Sequence, residues 1–141
     1  MIDKVKESLL ENSFAKSIIE LKLLSDRIVE GKGAGSGIFT IKYQMLYLIA
    51  SKTMVSPQEL ISQLNMAKSN LTLMAKKMIK EGLIVQTKTA ENRKQIYYSI
   101  TESGREELSV KMKAIENVYG DKSKEMLNHL KKTVDTLKNV K

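Results

Sequence analysis

The apolar residues of this chain change their period twice. Up to Ile79 they recur at the 3.6-residue spacing of helices, after Gly82 they run as in strands, and after Thr101 the helical spacing returns. A chain of 141 residues that does this sets two short strands among helices, so the expected fold class is mainly α (α+β). The pivot is residues 67–82, A-K-S-N-L-T-L-M-A-K-K-M-I-K-E-G. Leu71, Met74, Ala75, Met78 and Ile79 follow the i, i+3, i+4, i+7, i+8 pattern of one buried helix face. The opposite face carries Ser69, Leu73, Lys76, Lys77 and Lys80, with Thr72 at its edge. Gly82 stops the helix, because glycine enters the left-handed conformation at little cost. The product is a short helix with a dry back, a basic front and a small, polar first turn. Taken alone, its lysines read as an ordinary solvated face. The flanking segments reverse that reading.

Upstream, Thr40 caps a helix with Ile41, Met45, Leu48 and Ile49 inward, ending near Ser51, and residues 53–55 are a short extended piece. Ser56-Pro57-Gln58-Glu59 is a capping box with proline at the first helical position, where its missing N–H costs nothing. In the short helix that follows, Leu60, Ile61 and Leu64 point inward, and Asn65 ends it two residues before the basic helix. Short helix, tight turn, basic helix is helix-turn-helix order. Downstream, residues 83–87 and 95–100 are strands, joined by the polar and basic K-T-A-E-N-R-K of residues 88–94. Two strands with a basic tip directly after a helix-turn-helix form a wing. Thr101 caps a further helix from 102 to about 118, Gly120-Asp121 breaks it, and a last helix carries Met126, Leu127, Leu130, Val134 and Leu137 on one stripe.

The net charge of +8 is concentrated around the basic helix. Residues 40–100 hold nine Lys/Arg against three Asp/Glu, whereas the rest of the chain holds fifteen against thirteen. A localised basic patch implies a polyanionic partner, nucleic acid before membrane. The basic helix face suits the DNA major groove, which is wide enough to admit one helix.

The first helical pattern, residues 3–30, reads as one long helix, with Val5, Leu9, Leu10, Phe14, Ile18, Leu21 and Ile28 near one stripe. So long an apolar side needs a long packing partner, either a second subunit or the other end of the chain. Residues 31–37, G-K-G-A-G-S-G, contain no G-x-G-x-x-G and no G-K-[ST], and no strand precedes them, so a flexible connector is expected rather than a phosphate loop.

Other chemistry finds little support. No apolar run approaches the roughly 18 residues of a membrane span. The first residues lack the apolar core of a signal peptide, and a cytoplasmic location is the expectation. There is no cysteine, which excludes thiol-based sensing, and one histidine, His129, expected on the surface of the last helix. A lone histidine makes a poor zinc set and no G-x-S-x-G accompanies it, so no metal, no cofactor and no catalytic residues are expected, and the chain is not read as an enzyme. The eight methionines are read as adaptable core packing.

Residues 64–84, L-N-M-A-K-S-N-L-T-L-M-A-K-K-M-I-K-E-G-L-I, resemble the recognition segment of MarR-type transcriptional regulators. The stretch E-N-R-K-Q-I-Y-Y-S-I-T-E-S-G-R resembles that family's wing tip and the start of its next helix, and the order of elements is similar over nearly the whole chain. The resemblance implies a winged helix-turn-helix with long N- and C-terminal dimerisation helices. Residues 1–30 and 102–141 would form the helical dimerisation region and residues 38–101 the DNA-binding region, within one structural domain. It also implies a homodimer on a palindromic operator, with repression relieved by a small organic effector. Three positions depart from the family's pattern: Ala67 stands where a Ser or Thr cap is usual, Leu73 where arginine is common, and Glu91 where Asp is more usual.

The expected roles follow from these residues. Lys68, Ser69, Asn70 and Thr72 approach base edges from the helix start, and Lys76, Lys77 and Lys80 lie near phosphates. Leu73 is placed to meet a thymine methyl. Lys88, Arg93 and Lys94 stand at the wing tip, with Arg93 in the minor groove and Glu91 orienting it. Tyr43 and Tyr47 would line an effector pocket, ordinary packing being the competing role for both. Two function classes remain open: a sequence-specific double-stranded DNA-binding regulator, and a winged-helix protein-interaction module whose basic face meets an acidic protein.

Overall fold

The chain opens with two helices where the apolar stripe suggested one. The computed structural model describes residues 4–30, 40–91 and 94–140. Helix α1 (Lys4–Glu11) and helix α2 (Phe14–Glu30) are separated at Asn12 and Ser13. Ser13 Oγ accepts from Lys16 N at 3.0 Å and donates to Leu9 O at 2.7 Å, so one hydroxyl closes α1 and caps α2. A serine that offers the backbone both bonds competes with the continuous ladder and breaks the helix there. The glycine-rich stretch of residues 31–37 lies outside the described residues.

Three helices then form the base of the winged unit: α3 (Ile41–Ala50), α4 (Pro57–Leu64) and α5 (Lys68–Lys80). Thr40 takes the extended N-cap conformation of α3 but makes no side-chain cap bond. Ser56 does cap α4, its Oγ accepting from Glu59 N at 3.2 Å. Only half of the expected capping box forms, since Glu59 turns its carboxylate to Lys52 Nζ at 3.1 Å. Asn65 ends α4 in the left-handed conformation (φ 50°), which a short polar side chain tolerates better than most. That residue sets the sharp turn into α5.

Strands β1 (Ile84–Lys88) and β2 (Ile96–Ile100) pair antiparallel, from Ile84 opposite Ile100 to Lys88 opposite Ile96. Each begins one residue later than the sequence pattern suggested. Val55 adds an isolated bridge to β2, exchanging backbone bonds with Tyr98 at 3.0 and 2.8 Å. Helices α6 (Glu102–Tyr119) and α7 (Asp121–Lys138) complete the described chain.

Among the described residues, the core lies in the winged unit and its junction with α6. Met45, Leu46, Ile49, Val55, Leu60, Leu71, Ala75, Met78, Leu83, Ile84, Tyr98 and Leu108 are buried together. Leu46 adds to the inward residues read from the α3 sequence, because that helix is apolar on nearly all sides and its period is weak. The start of α6 is pinned to this core at Gly104. A Cβ there would stand 2.2 Å from Leu83 O and 2.8 Å from Ile100 Cγ1, so only glycine admits the approach. Thr101 fastens the same corner: its hydroxyl donates to Gly82 O (2.7 Å) and Leu83 O (3.0 Å) and accepts from Gly104 N (3.0 Å).

Among the described residues, α1, α2 and α7 contribute no buried side chain to that core. No residue of α7 is buried, and Leu9, Leu10, Phe14, Ile19, Leu127 and Leu130 are exposed on the single chain.

Candidate nucleic-acid interface

Helix α5 is held by its apolar back and presents its polar front. Leu71, Ala75 and Met78 are buried, with Met74 and Ile79 half-buried beside them. Lys68, Ser69, Asn70, Thr72, Leu73, Lys76, Lys77 and Lys80 are all exposed. The basic residues and the small polar first turn therefore share the solvent side of one short helix. Ala67 occupies the N-cap position without a side-chain bond, which leaves backbone N–H groups of the first turn open to an outside acceptor. Thr72 Oγ1 donates to Lys68 O at 3.0 Å, so its hydrogen is engaged while its methyl and oxygen lone pairs stay outward. Asn70, Leu73 and Lys77 share a shallow groove of about 420 Å³ with Ile41, Met66 and Met74.

Polar bonds at its base tie the wing to α4 and to the segment before it. Ser99 Oγ donates to Thr53 O at 3.0 Å, and Gln95 Nε2 reaches Gln58 Oε1 on α4 at 3.4 Å and Ile96 O at 3.1 Å. Lys88 at the end of β1, Glu91 and Lys94 are exposed near the tip. Arg93 lies outside the described residues, and with it the expected pairing to Glu91.

Behind the interface sits an ion cluster that no local sequence pattern announces. Lys42 Nζ on α3 lies 3.2 Å from Glu81 Oε2 at the C-cap of α5 and 3.5 Å from Glu107 Oε2 on α6. Glu107 Oε2 is shielded from solvent and makes no hydrogen bond among the described residues, so the ammonium is its main compensation. Burial works to lower the Lys42 pKa, but the hydrogen bond to Glu81 and the two carboxylate charges outweigh it and raise it. The cluster joins three helices whose residues stand far apart in sequence, which is why only the fold reveals it.

The two tyrosines named from the sequence differ in their surroundings. Tyr43 is half-buried, with the ammonium groups of Lys42 and Lys111 at 5.5 and 5.6 Å from its ring centre. Burial, then the Glu107 charge, raises its pKa. Tyr47 is exposed and lines a groove of about 610 Å³ with Ser51, Lys52, Gln58, Gln63 and Lys138. His129 is exposed on α7, as expected.

This arrangement, a dry-backed basic helix after a tight turn with a braced two-stranded wing, has counterparts. Residues 41–119, more than half of the chain, match the family described as winged helix DNA-binding domain. The chain belongs to that family. The winged helix DNA-binding match spans α3 to α6, and solved structures extend the likeness to the terminal helices. The multiple antibiotic resistance repressor MarR superposes with a TM-score of 0.67 at 14% identity, covering 89% of this chain and 95% of that one. The transcriptional regulator BldR from Sulfolobus solfataricus gives 0.61 at 18%, covering 96% and 99%. YusO from Bacillus subtilis gives 0.58 at 21%, covering 92% and 100%. The fold is thus the MarR-type winged helix with its long terminal helices. No curated protein matches the sequence. Among the described residues, no helix is long and apolar enough to cross a membrane.

Proposed function

We propose that this chain is a sequence-specific, double-stranded DNA-binding transcriptional regulator that acts as a homodimer on a palindromic operator. The observation that carries the reading is α5, whose exposed face gathers Lys68, Lys76, Lys77 and Lys80 around a polar first turn while its back is buried. Membership in a winged helix DNA-binding family supports it. In this reading Lys76, Lys77 and Lys80 hold phosphates, Lys68, Ser69, Asn70 and Thr72 face bases, and Lys88, Arg93 and Lys94 carry the wing to the adjacent minor groove. Residues 38–101 are the DNA-binding region, and residues 1–30 with 102–141 join two copies.

Dimerisation is supported by the apolar faces of α1, α2 and α7, which a single chain leaves wet. A two-fold pairing covers them and sets two α5 helices on successive half-sites. The regulator represses by occupying its site, and a small organic molecule seated near Tyr47 releases it. The Tyr47 groove falls within the size range of ligand pockets and joins α3 and α4 to the end of α7, so an occupant there bears on both regions.

A salt titration on duplex DNA tests the central part. Affinity for one preferred duplex should fall steeply with salt and stay well above that for random duplex throughout. Equal affinity for both would instead favour the interaction-module reading, with an acidic protein as partner.

A further inference from the structure

The basic face of α5 has one apolar residue at its centre. Leu73 is 67% exposed, the one large hydrophobic of α5 so exposed, and the core takes Leu71, Ala75 and Met78 from that helix instead. It stands one turn after Ser69 and one turn before Lys76 and Lys77. Asn70, three residues earlier, lies beside it, and the two line a shallow groove together with Ile41, Met66 and Met74. The surrounding lysines select a polyanion as the occupant of this face, and phosphates held by them bring the helix front to the floor of a DNA major groove.

On that floor an A·T pair presents two things at once: the adenine N6/N7 edge, which an asparagine amide bonds in bidentate fashion, and the thymine C5 methyl, the one apolar group there. Side chains three apart on a helix have Cβ atoms about 5–6 Å apart, a span suited to neighbouring groups on a base-pair edge. We propose that Asn70 and Leu73 act together as a reader of A·T in each half-site, Asn70 bonding adenine and Leu73 packing on the thymine methyl. The proposal rests on the DNA-binding reading above and goes beyond it by naming the base pair and the two determinants.

The experiment starts from the tightest duplex recovered from a random pool and replaces each thymine, one at a time, by uracil, which pairs alike but lacks the methyl. For the wild-type chain, one position per half-site should show a loss of about fourfold, the size of one buried methyl contact. Leu73→Ala should bind thymine and uracil duplexes equally, while Leu73→Met should keep the discrimination. Asn70→Ala should lose the preference for adenine at the paired or adjoining position. Leu73 is exposed, so the variants should melt like wild type, which circular dichroism checks. If no uracil replacement weakens wild-type binding, or if the penalty persists undiminished in Leu73→Ala, the proposal is overturned while sequence-specific binding stands. If the pool yields no preferred duplex, the DNA-reading function and this proposal fall together.

Discussion

A phosphate-bound lysine and a groove-inserted arginine reach a duplex by different routes, so their removal should show differently. Lys76 is exposed on the front of α5. Lys76→Ala should weaken binding to specific and random duplex alike and reduce the salt slope by about one contact, as fluorescence anisotropy at several salt concentrations would show. Altered sequence preference would mean that Lys76 reads bases. Arg93→Ala should leave fold and dimer intact and cost about 1–3 kcal/mol of DNA binding, most on sites with A·T-rich flanks, where the minor groove is narrow and its potential most negative. Arg93→Lys should restore only part, since an ammonium sheds water less readily than a guanidinium. Unchanged affinity of Arg93→Ala at fixed salt would remove the wing tip from the contact. At this scale the front of α5 was legible in the sequence, because one apolar stripe fixes which residues face away from it. The surroundings of Tyr43 were not, because Lys111 comes to its ring from a distant helix.

Elements are joined in this fold by a few contacts whose loss should be measurable. The corner between the wing and α6 depends on Gly104, where any Cβ runs into the Leu83 carbonyl. Gly104→Ala should destabilise the protein by about 1–3 kcal/mol, the usual size of an overpacking penalty, seen as a lower thermal midpoint with DNA contacts untouched. An unchanged midpoint would mean that the corner opens freely. The Lys42 cluster and the buried Tyr98 make stability sensitive to alkali. The folded state raises Lys42 above its ordinary 10.5 through Glu81 and Glu107, against burial, and raises Tyr98 above its ordinary 10.0 through burial. In both cases folding favours the protonated form, so their contribution is complete below about pH 10 and is lost as pH rises through the raised values. Denaturant midpoints should therefore hold through neutral pH and fall above about pH 10, and Lys42→Met should lower the neutral value and flatten part of that fall. Thr101 as a helix cap was visible in the sequence, but its hold on the wing was not. The carbonyls that Thr101 binds belong to Gly82 and Leu83, across the whole hairpin. The break at Ser13 was hidden for the opposite reason: the apolar stripe runs through it, and only the serine's two backbone bonds show that the helix restarts.

At the scale of the molecule, the buried core among the described residues reaches no further than the start of α6, while exposed apolar residues continue on α1, α2 and α7. Sedimentation should therefore give a dimer at micromolar concentration, and charge placed on that stripe, as in Leu130→Asp, should yield monomers with an intact winged unit and much weaker DNA binding. The stripe itself was plain in the sequence, but a periodicity does not say whether its cover comes from the same chain. The described fold decides that within one chain it stays exposed. If two such chains read a symmetric site through α5, selection of bound duplexes from a random pool should reveal that site. An inverted repeat should be enriched, its half-sites centred about one helical turn, roughly 34–36 Å, apart. A pool that stays random after repeated rounds, with the protein shown to be folded, would contradict this reading.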